Sequence, residues 1–187
     1  MATHPERVVL TYADYLELHD DRMRYQLLEG ELDVTPAPST NLLVILDLYV
    51  RRGRLGTVFV APCDVVLNDN NVVQPDLLFV SRERAAIIER ACVRGAPDLI
   101  VEVLSPRTER TDREIKWQIY ARYGVAHYWL IDPDRREATA LVLEAGGYRQ
   151  AVVAQGGETF AAPPFADLAI PLADVWAGDG AGEVVEA

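Results

Sequence analysis

The chain has 187 residues, half of them apolar, and a formal net charge of −11. This length and composition predict one folded domain and argue against a disordered chain. No apolar run approaches the roughly 20 residues of a membrane span and no signal peptide is visible, so we expect a cytoplasmic protein with no membrane contact. The two cysteines, Cys63 and Cys92, are far apart and fit small core residues of a reduced protein.

The acidic charge argues against a broad basic surface for nucleic acid, but the charge is unevenly distributed. Residues 82–122 contain nine basic and seven acidic residues, so this stretch alone is net basic. A local phosphate-binding patch is therefore compatible with the sequence.

The first half of the chain predicts two helices and four extended segments, from apolar periodicity and turn residues. In chain order these are a helix over residues 11–20, extended chain over 24–34 with a turn near Glu29-Gly30, a helix from Ser39 or Thr40 to Arg52 that Gly53 ends, and strands over 57–60, 64–67 and 72–80.

The second half predicts further alternation of helix and strand. The segments are a helix over residues 83–93, a buried strand over 98–104, a helix from the capping box at 111–114 to Tyr123 with Gly124 after it, a strand over 125–131, a turn at 132–134, a hairpin over 137–143 and 148–153, a short apolar segment over 168–176 and a frayed tail over 178–187. This order predicts a single α/β domain over residues 1–177, with a mixed β-sheet flanked by helices.

Several classes of catalytic motif are absent from the sequence. It contains no phosphate-binding P-loop, no dinucleotide fingerprint and no nucleophile elbow. The three histidines are scattered, and His127, at a strand start, is interpreted as structural.

Two carboxylates in apolar strand segments carry more information. Asp76 and Glu102 both lie in such segments, and charged groups are rarely buried unless they are paired or bind metal. If their strands are neighbours, the two carboxylates converge on one hard cation, for which oxygen ligands favour Mg²⁺ or Mn²⁺.

Lys116 is the only lysine among eighteen basic residues. Since the other seventeen basic residues are arginine, this bias indicates that arginine cannot replace lysine at position 116. A site that needs a compact ammonium beside a phosphate or a metal-bound water would have this requirement. Asp112, Lys116 and Tyr120 recur at a spacing of four and share a helix face, so Asp112 can orient Lys116 and Tyr120 can pack over its stem.

Each of these residues also has a purely structural interpretation. Lys116 can be a surface lysine paired with Asp112, Asp76 a carboxylate beside a turn, and Glu102 half of a buried ion pair. The combination of both carboxylates with the only lysine favours a site.

The sequence also resembles a known family over roughly residues 8–176. The segments that carry the resemblance are Gln74-Pro75-Asp76, the run from Gly95 to Pro106, then Asp112, Lys116, Tyr120, Gly124-Val125, Tyr128-Trp129 and Asp132-Pro133, with a looser match at residues 25–32. They are similar to the Uma-two family, a group of predicted restriction endonucleases in the PD-(D/E)XK nuclease superfamily.

The resemblance implies a restriction-endonuclease-like fold and cleavage of phosphodiester bonds in nucleic acid, with DNA the expected substrate, by a homodimer. It implies that Asp76 and Glu102 bind Mg²⁺ or Mn²⁺. It also implies that Lys116 is the superfamily lysine, moved from the strand position of Leu104 onto the next helix.

Two positions depart from the family pattern. Gln26 stands where the family usually has a glutamate, and Asn41 stands near the place of a usual histidine. Gln26 is therefore expected beside the metal site rather than among its ligands. These departures motivate an alternative, a non-catalytic nucleic-acid-binding or assembly module on the same fold. A hydrolase of a small phosphorylated ligand is a third hypothesis that no motif supports.

Overall fold

The computed structural model describes residue 11 and residues 24–28, 31–35, 40–105 and 109–176, and for residues 24–28 and 31–35 it describes the backbone alone. Residues 12–20 of the helix predicted over residues 11–20 lie outside the described residues, as do the domain boundary at residue 177 and the predicted tail.

The described residues form thirteen strands and three α-helices. The strands are β1 (Arg24–Leu28), β2 (Glu31–Thr35), β3 (Gly56–Val60), β4 (Val65–Asn68), β5 (Asn71–Val73), β6 (Leu77–Ser81), β7 (Val93–Arg94), β8 (Leu99–Val103), β9 (His127–Asp132), β10 (Glu137–Glu144), β11 (Gly147–Gln155), β12 (Thr159–Phe160) and β13 (Ile170–Pro171). The helices are α1 (Thr40–Gly53), α2 (Trp117–Tyr123) and α3 (Leu172–Val175), with a 3₁₀ helix at Arg82–Ile87 and a π-helical turn at Thr111–Lys116.

A six-stranded mixed sheet in the order β11-β10-β9-β8-β6-β3 organises the described part of the chain. Its central strands β8 and β9 run parallel, while the other neighbouring pairs are antiparallel. Parallel neighbours need a long crossover, which here contains the π-helical turn and α2. The near-continuous apolar runs of β8 and β9 agree with strands covered on both faces.

Each face of this sheet packs against its own helix. Alternate residues of β8 point to opposite faces, so Val101 packs in one cluster with Leu46 of α1 and Ile100 in the other with Ile119 of α2. Glu102 has the same strand parity as Ile100, which directs its side chain to the α2 face.

A five-stranded sheet in the order β2-β1-β5-β4-β7 leads into β6 of the central sheet. β1 pairs with β5 through Leu27 and Val72, and β5 leads directly into Gln74, Pro75 and Asp76. A small sheet of β12 and β13 completes the described strands.

The predicted fold class is confirmed: the chain is a single α/β domain with a mixed sheet flanked by helices. The predicted extended pair over residues 24–34 and the hairpin around Gly146-Gly147 are also found. Among the described residues, no helix is both long enough and apolar enough to cross a membrane.

Two predicted elements between residues 72 and 93 were wrong in part. The strand expected over residues 72–80 is two strands, because Pro75 cannot donate to a ladder and the chain changes sheets there. The helix expected over 83–93 is a short 3₁₀ helix followed by β7, because Val93 pairs with Val65 and forms a bridge with Ile88. Tertiary strand pairing overrides the local helical preference of this segment.

The predicted capping box at Thr111 was wrong. The backbone N–H of Glu109 already donates to Ser105 O at 2.9 Å, and Arg110 has helical dihedrals without a capping side chain. The helix therefore begins upstream of Thr111. Its predicted end was correct, since Gly124 adopts a left-handed conformation with φ of 82°.

Candidate active site

Asp76 and Glu102 lie opposite each other on neighbouring strands. β6 and β8 are antiparallel with Leu77 paired to Val101, so the same register carried one residue further places Asp76 opposite Glu102 on one face. The backbone N–H of Val103 donates to Asp76 Oδ2 at 2.7 Å. This bond fixes the Asp76 carboxylate to the end of β8.

Lys116 reaches this face from the helix that follows β8. Its Nζ lies 3.1 Å from Glu102 Oε1 and 2.8 Å from Asp112 Oδ1. The exposed fractions are 1% for Lys116, 2% for Glu102, 1% for Asp112 and 6% for Asp76, so the cluster is shielded from water.

Two tyrosines hold the cluster in place. The Tyr120 hydroxyl donates to Glu102 Oε1 at 2.7 Å, and the Tyr128 hydroxyl donates to the backbone O of Asp112 at 3.0 Å. Their rings pack edge to face with centroids 5.1 Å apart. Glu102 and the turn that carries Lys116 are therefore both anchored by rigid side chains from α2 and β9.

Burial and neighbouring charges shift two ionisable groups of the cluster. Burial raises the pKa of Glu102 to about 8, and Asp112 and Asp76 add to this while Lys116 and the Tyr120 hydroxyl oppose it. Burial alone would lower the pKa of Lys116, but Glu102 and Asp112 outweigh it and raise that pKa to about 12. Lys116 therefore remains a cation at neutral pH.

The donor set fits a hard divalent cation. Asp76, Glu102 and Asp112 bring three carboxyl groups to a buried region with the single ammonium of Lys116, and this excess of acid contributes to the raised pKa of Glu102. A dication beside Asp76 and Glu102 would offset that excess, and carboxylate oxygens are the ligands that Mg²⁺ and Mn²⁺ prefer.

Such a cation would have few protein ligands. Within the described ranges, no group of three or more His, Cys, Asp or Glu residues is arranged to hold a metal. Mg²⁺ is commonly held by one or two carboxylates, with water and substrate phosphate completing its shell. The pair of Asp76 and Glu102 agrees with that mode.

The two positions that depart from the family pattern lie on different parts of the fold. The backbone of Gln26 pairs with Asp33 within β1 and β2, while its side chain lies outside what the structure describes. Asn41, at the start of α1, donates from Nδ2 to the backbone O of Val175 at 3.2 Å. Asn41 therefore ties α1 to α3 and does not contact the cluster through this bond.

The structure brings together five of the six residues predicted for the site: Asp76, Glu102, Asp112, Lys116 and Tyr120. The expectation that Gln26 lies beside the site is not tested, because its side chain is not described. Sequence reasoning missed the support from the Tyr128 hydroxyl and the Val103 N–H. Residue spacing held no signal for the backbone donor, since every strand residue carries one.

Comparisons with known proteins show which family and which fold the chain shares. The chain matches the family model described as "Uma2: Putative restriction endonuclease" over residues 12–173. It is also similar in structure to a protein from Anabaena variabilis ATCC 29413 whose crystal structure is described as that of a putative nuclease belonging to DUF820. The TM-score is 0.70 at 20% identity, covering 89% of this chain and 97% of that one, which shows a shared fold.

No curated protein matches the sequence. The family match spans most of the chain and includes the strands and the helix that carry Asp76, Glu102 and Lys116. The chain therefore belongs to the Uma2 family.

Proposed function

We propose that this protein is a divalent-metal-dependent endonuclease that hydrolyses phosphodiester bonds of nucleic acid, with DNA the expected substrate. The observation that carries the proposal is the buried cluster in which Asp76, Glu102 and Lys116 meet on one face of the central sheet. Membership of a family described as restriction endonucleases supports it.

Asp76 and Glu102 would hold Mg²⁺ or Mn²⁺, which lowers the pKa of a bound water and stabilises charge on the phosphodiester. Lys116 supplies a fixed positive charge beside the phosphate, where negative charge increases in the transition state. Asp112 positions Lys116 through their ion pair, and Tyr120 orients Glu102 by donating to its carboxylate. The Val103 N–H holds Asp76 in the same way.

The test is incubation of the purified protein with supercoiled plasmid, single-stranded DNA and RNA, each with Mg²⁺, Mn²⁺ or EDTA. We expect cleavage that needs metal and that is lost in Asp76→Ala. Asp167→Ala, which removes an exposed carboxylate outside the cluster, is the matched control and should cleave like the wild type. A folded sample that cleaves none of these substrates with either metal would contradict the proposal.

A non-catalytic binding or assembly module is the second candidate, and one observation favours it. Glu102 Oε1 already accepts from Tyr120 and pairs with Lys116, so the buried cluster partly satisfies its own charges. This candidate predicts metal-independent binding of nucleic acid or of a partner protein, without products. Gln26→Glu, which restores the family's usual acid, would then be the variant in which activity should appear.

A homodimer and a cytoplasmic location are expectations that follow from the family resemblance and the sequence. Light scattering coupled to size exclusion measures the first directly. A monomer at micromolar concentration would remove the dimer from the proposal without affecting the site.

A further inference from the structure

A group of arginines lies at the opposite end of β6 from Asp76. Arg51 and Arg52 are in the last turn of α1, Arg54 follows the helix, and Arg82 follows β6. The backbone N–H of Arg82 donates to Leu55 O at 2.8 Å, which brings the two segments together. We call these four residues the arginine edge.

Arg54 adopts a backbone conformation that arginine disfavours. Its φ is 51°, and it occupies the left-handed position after α1, where glycine is usual. The N–H of Arg54 donates to Arg51 O at 3.2 Å and that of Leu55 to Val50 O at 3.0 Å, the two bonds of a Schellman motif. The predicted helix end at Gly53 is wrong by one residue, because Arg54 takes the left-handed position. Arg54 thus occupies a backbone conformation that glycine would adopt without steric strain. This exception suggests a role for the arginine side chain.

Arg54 and Arg82 line one concave surface. They border a cavity of about 230 Å³ whose other walls include Gly56, Thr57 and Ala85. The arginine side chains are exposed, with 77% of Arg51 and 71% of Arg82 accessible. Arg51 pairs with Asp47 and Arg82 lies 3.6 Å from Glu83, whereas Arg52 and Arg54 have no ion pair within the described part of the chain.

The charge of this surface contrasts with that of the whole chain. Four arginines face two carboxylates here, while the full sequence has a net charge of −11. Arg52 and Arg54, which have no ion pair among the described residues, leave this edge with a net positive charge that favours an anionic ligand. The five residue steps from Asp76, just before β6, to Ser81 at its end span about 16 Å at roughly 3.3 Å per step. That equals about five nucleotide steps at 3.4 Å per step along one strand.

We infer that the arginine edge binds the phosphate backbone of the nucleic acid whose scissile phosphate lies at the Asp76–Glu102 site. The inference rests on the proposed function for its choice of ligand. Arginine binds phosphate through two parallel N–H donors, and exposed arginines without internal partners are available for this contact. The edge makes no base contacts in this role, so it contributes affinity and orientation rather than sequence specificity.

A structural role is the competing interpretation. β3 is an edge strand of the central sheet, and charged residues beside an edge strand oppose pairing with other molecules. On that interpretation the loss of Arg54 and Arg82 promotes self-association and leaves nucleic-acid binding unchanged.

The test measures binding of a labelled DNA duplex of about 30 base pairs, or three helical turns, by fluorescence anisotropy in EDTA across a salt series. The variant is Arg54→Gly with Arg82→Ala, and glycine suits the left-handed position, so folding should be retained. The matched control is Arg136→Gly, since Arg136 is exposed and also has a positive φ of 48° but lies in a turn beside Asp134 and Glu137.

We expect the double variant to bind more weakly and its salt dependence to flatten by about 1.8 in log–log slope, from about 0.9 for each phosphate contact. Arg136→Gly should bind like the wild type, and Arg54→Lys, which keeps the charge, should retain most of the affinity. An unchanged slope in the double variant, or a wild type that does not bind the duplex, would overturn the inference. The binding test is run without metal, so it does not depend on cleavage. If the nuclease proposal alone fails, binding will still depend on the arginines, but no cleavage will follow when Mg²⁺ or Mn²⁺ is added.

Discussion

Lys116 shows how a single residue connects sequence bias to the site. It is the only lysine of the chain, and its ammonium lies between Glu102 and Asp112 in a region almost closed to water. A guanidinium is wider and planar, so it would not fit the same contacts. Lys116 is only 1% exposed, which excludes the interpretation that it is a surface lysine. The buried ion pair with Glu102, anticipated as an alternative, is present and is compatible with the proposed catalytic role.

We predict that Lys116→Met lowers the free energy of unfolding by about 3–5 kcal/mol, because Glu102 and Asp112 lose their buried counter-ion. Adding Glu102→Gln should recover part of this loss, since one uncompensated carboxyl group is removed. Guanidinium denaturation of the single and double variants measures both effects. A loss below about 1 kcal/mol in Lys116→Met would mean that the pair is solvated as surface pairs are.

His127 gives a prediction for the dependence of stability on pH. Burial lowers the pKa of His127 below its ordinary value of 6.5, and Asp98 offsets only part of this. The unfolded chain therefore binds more protons at this imidazole, so its contribution is present above about pH 6.5 and is lost as the pH falls below it. The denaturation midpoint should fall further between pH 7.5 and pH 5 in the wild type than in His127→Gln. Equal falls in the two proteins would show that the titration of His127 does not cause this pH dependence.

At the scale of elements, the apolar runs could be predicted and the junctions between them could not. The sequence places β8 and β9 because both are buried on two faces and therefore almost wholly apolar. It could not place the break at Pro75 or the 3₁₀ helix after β6, because pairing with distant strands decides both. The π-helical turn of Lys116 was also missed, since its residues suit an ordinary helix equally well.

A substitution at Gly56 tests how tightly β3 packs against β6. A Cβ at Gly56 would lie 2.1 Å from Val80 O, a backbone atom that cannot move aside. Gly56→Ala should therefore destabilise the protein by about 1–3 kcal/mol, the usual range for overpacking. Gly157→Ala is the matched control, because a Cβ there meets nothing within 4 Å. Thermal denaturation of both variants compares them, and equal melting temperatures would show that β3 can shift away from β6.

At the scale of the whole molecule, the arrangement of the site could be predicted because few contacts define it. The sequence predicted that Asp76, Glu102 and Lys116 meet if the two strand segments with the carboxylates are neighbours, and β6 and β8 are neighbours. Arg54 could not be recognised in this way, because its left-handed backbone and its proximity to Arg82 exist only in the folded chain. Sequence patterns report burial well, and they report poorly which exposed residues share a surface.

Metal binding should also stabilise the whole molecule. A cation that binds only the folded state stabilises it by RT ln(1 + [L]/Kd), where [L] is the free cation concentration, and so raises the melting temperature increasingly as [L] exceeds Kd. We predict that Mn²⁺ raises the melting temperature of the wild type and leaves that of Asp76→Asn unchanged. Differential scanning calorimetry with and without EDTA measures the shift. An equal shift in both proteins would place the ion elsewhere on the acidic surface.

The most direct test of the central claim is the rate at which the wild type and Glu102→Gln nick supercoiled plasmid in Mn²⁺. Glu102→Gln keeps the shape of the side chain and removes its ability to ionise, so the variant should remain folded and any loss of rate should reflect the site. We predict cleavage by the wild type that EDTA abolishes, and a loss of at least about 100-fold in the variant, as for removal of a transition-state contact. Equal rates in the two proteins would contradict the assignment of Asp76, Glu102 and Lys116 as the reacting centre.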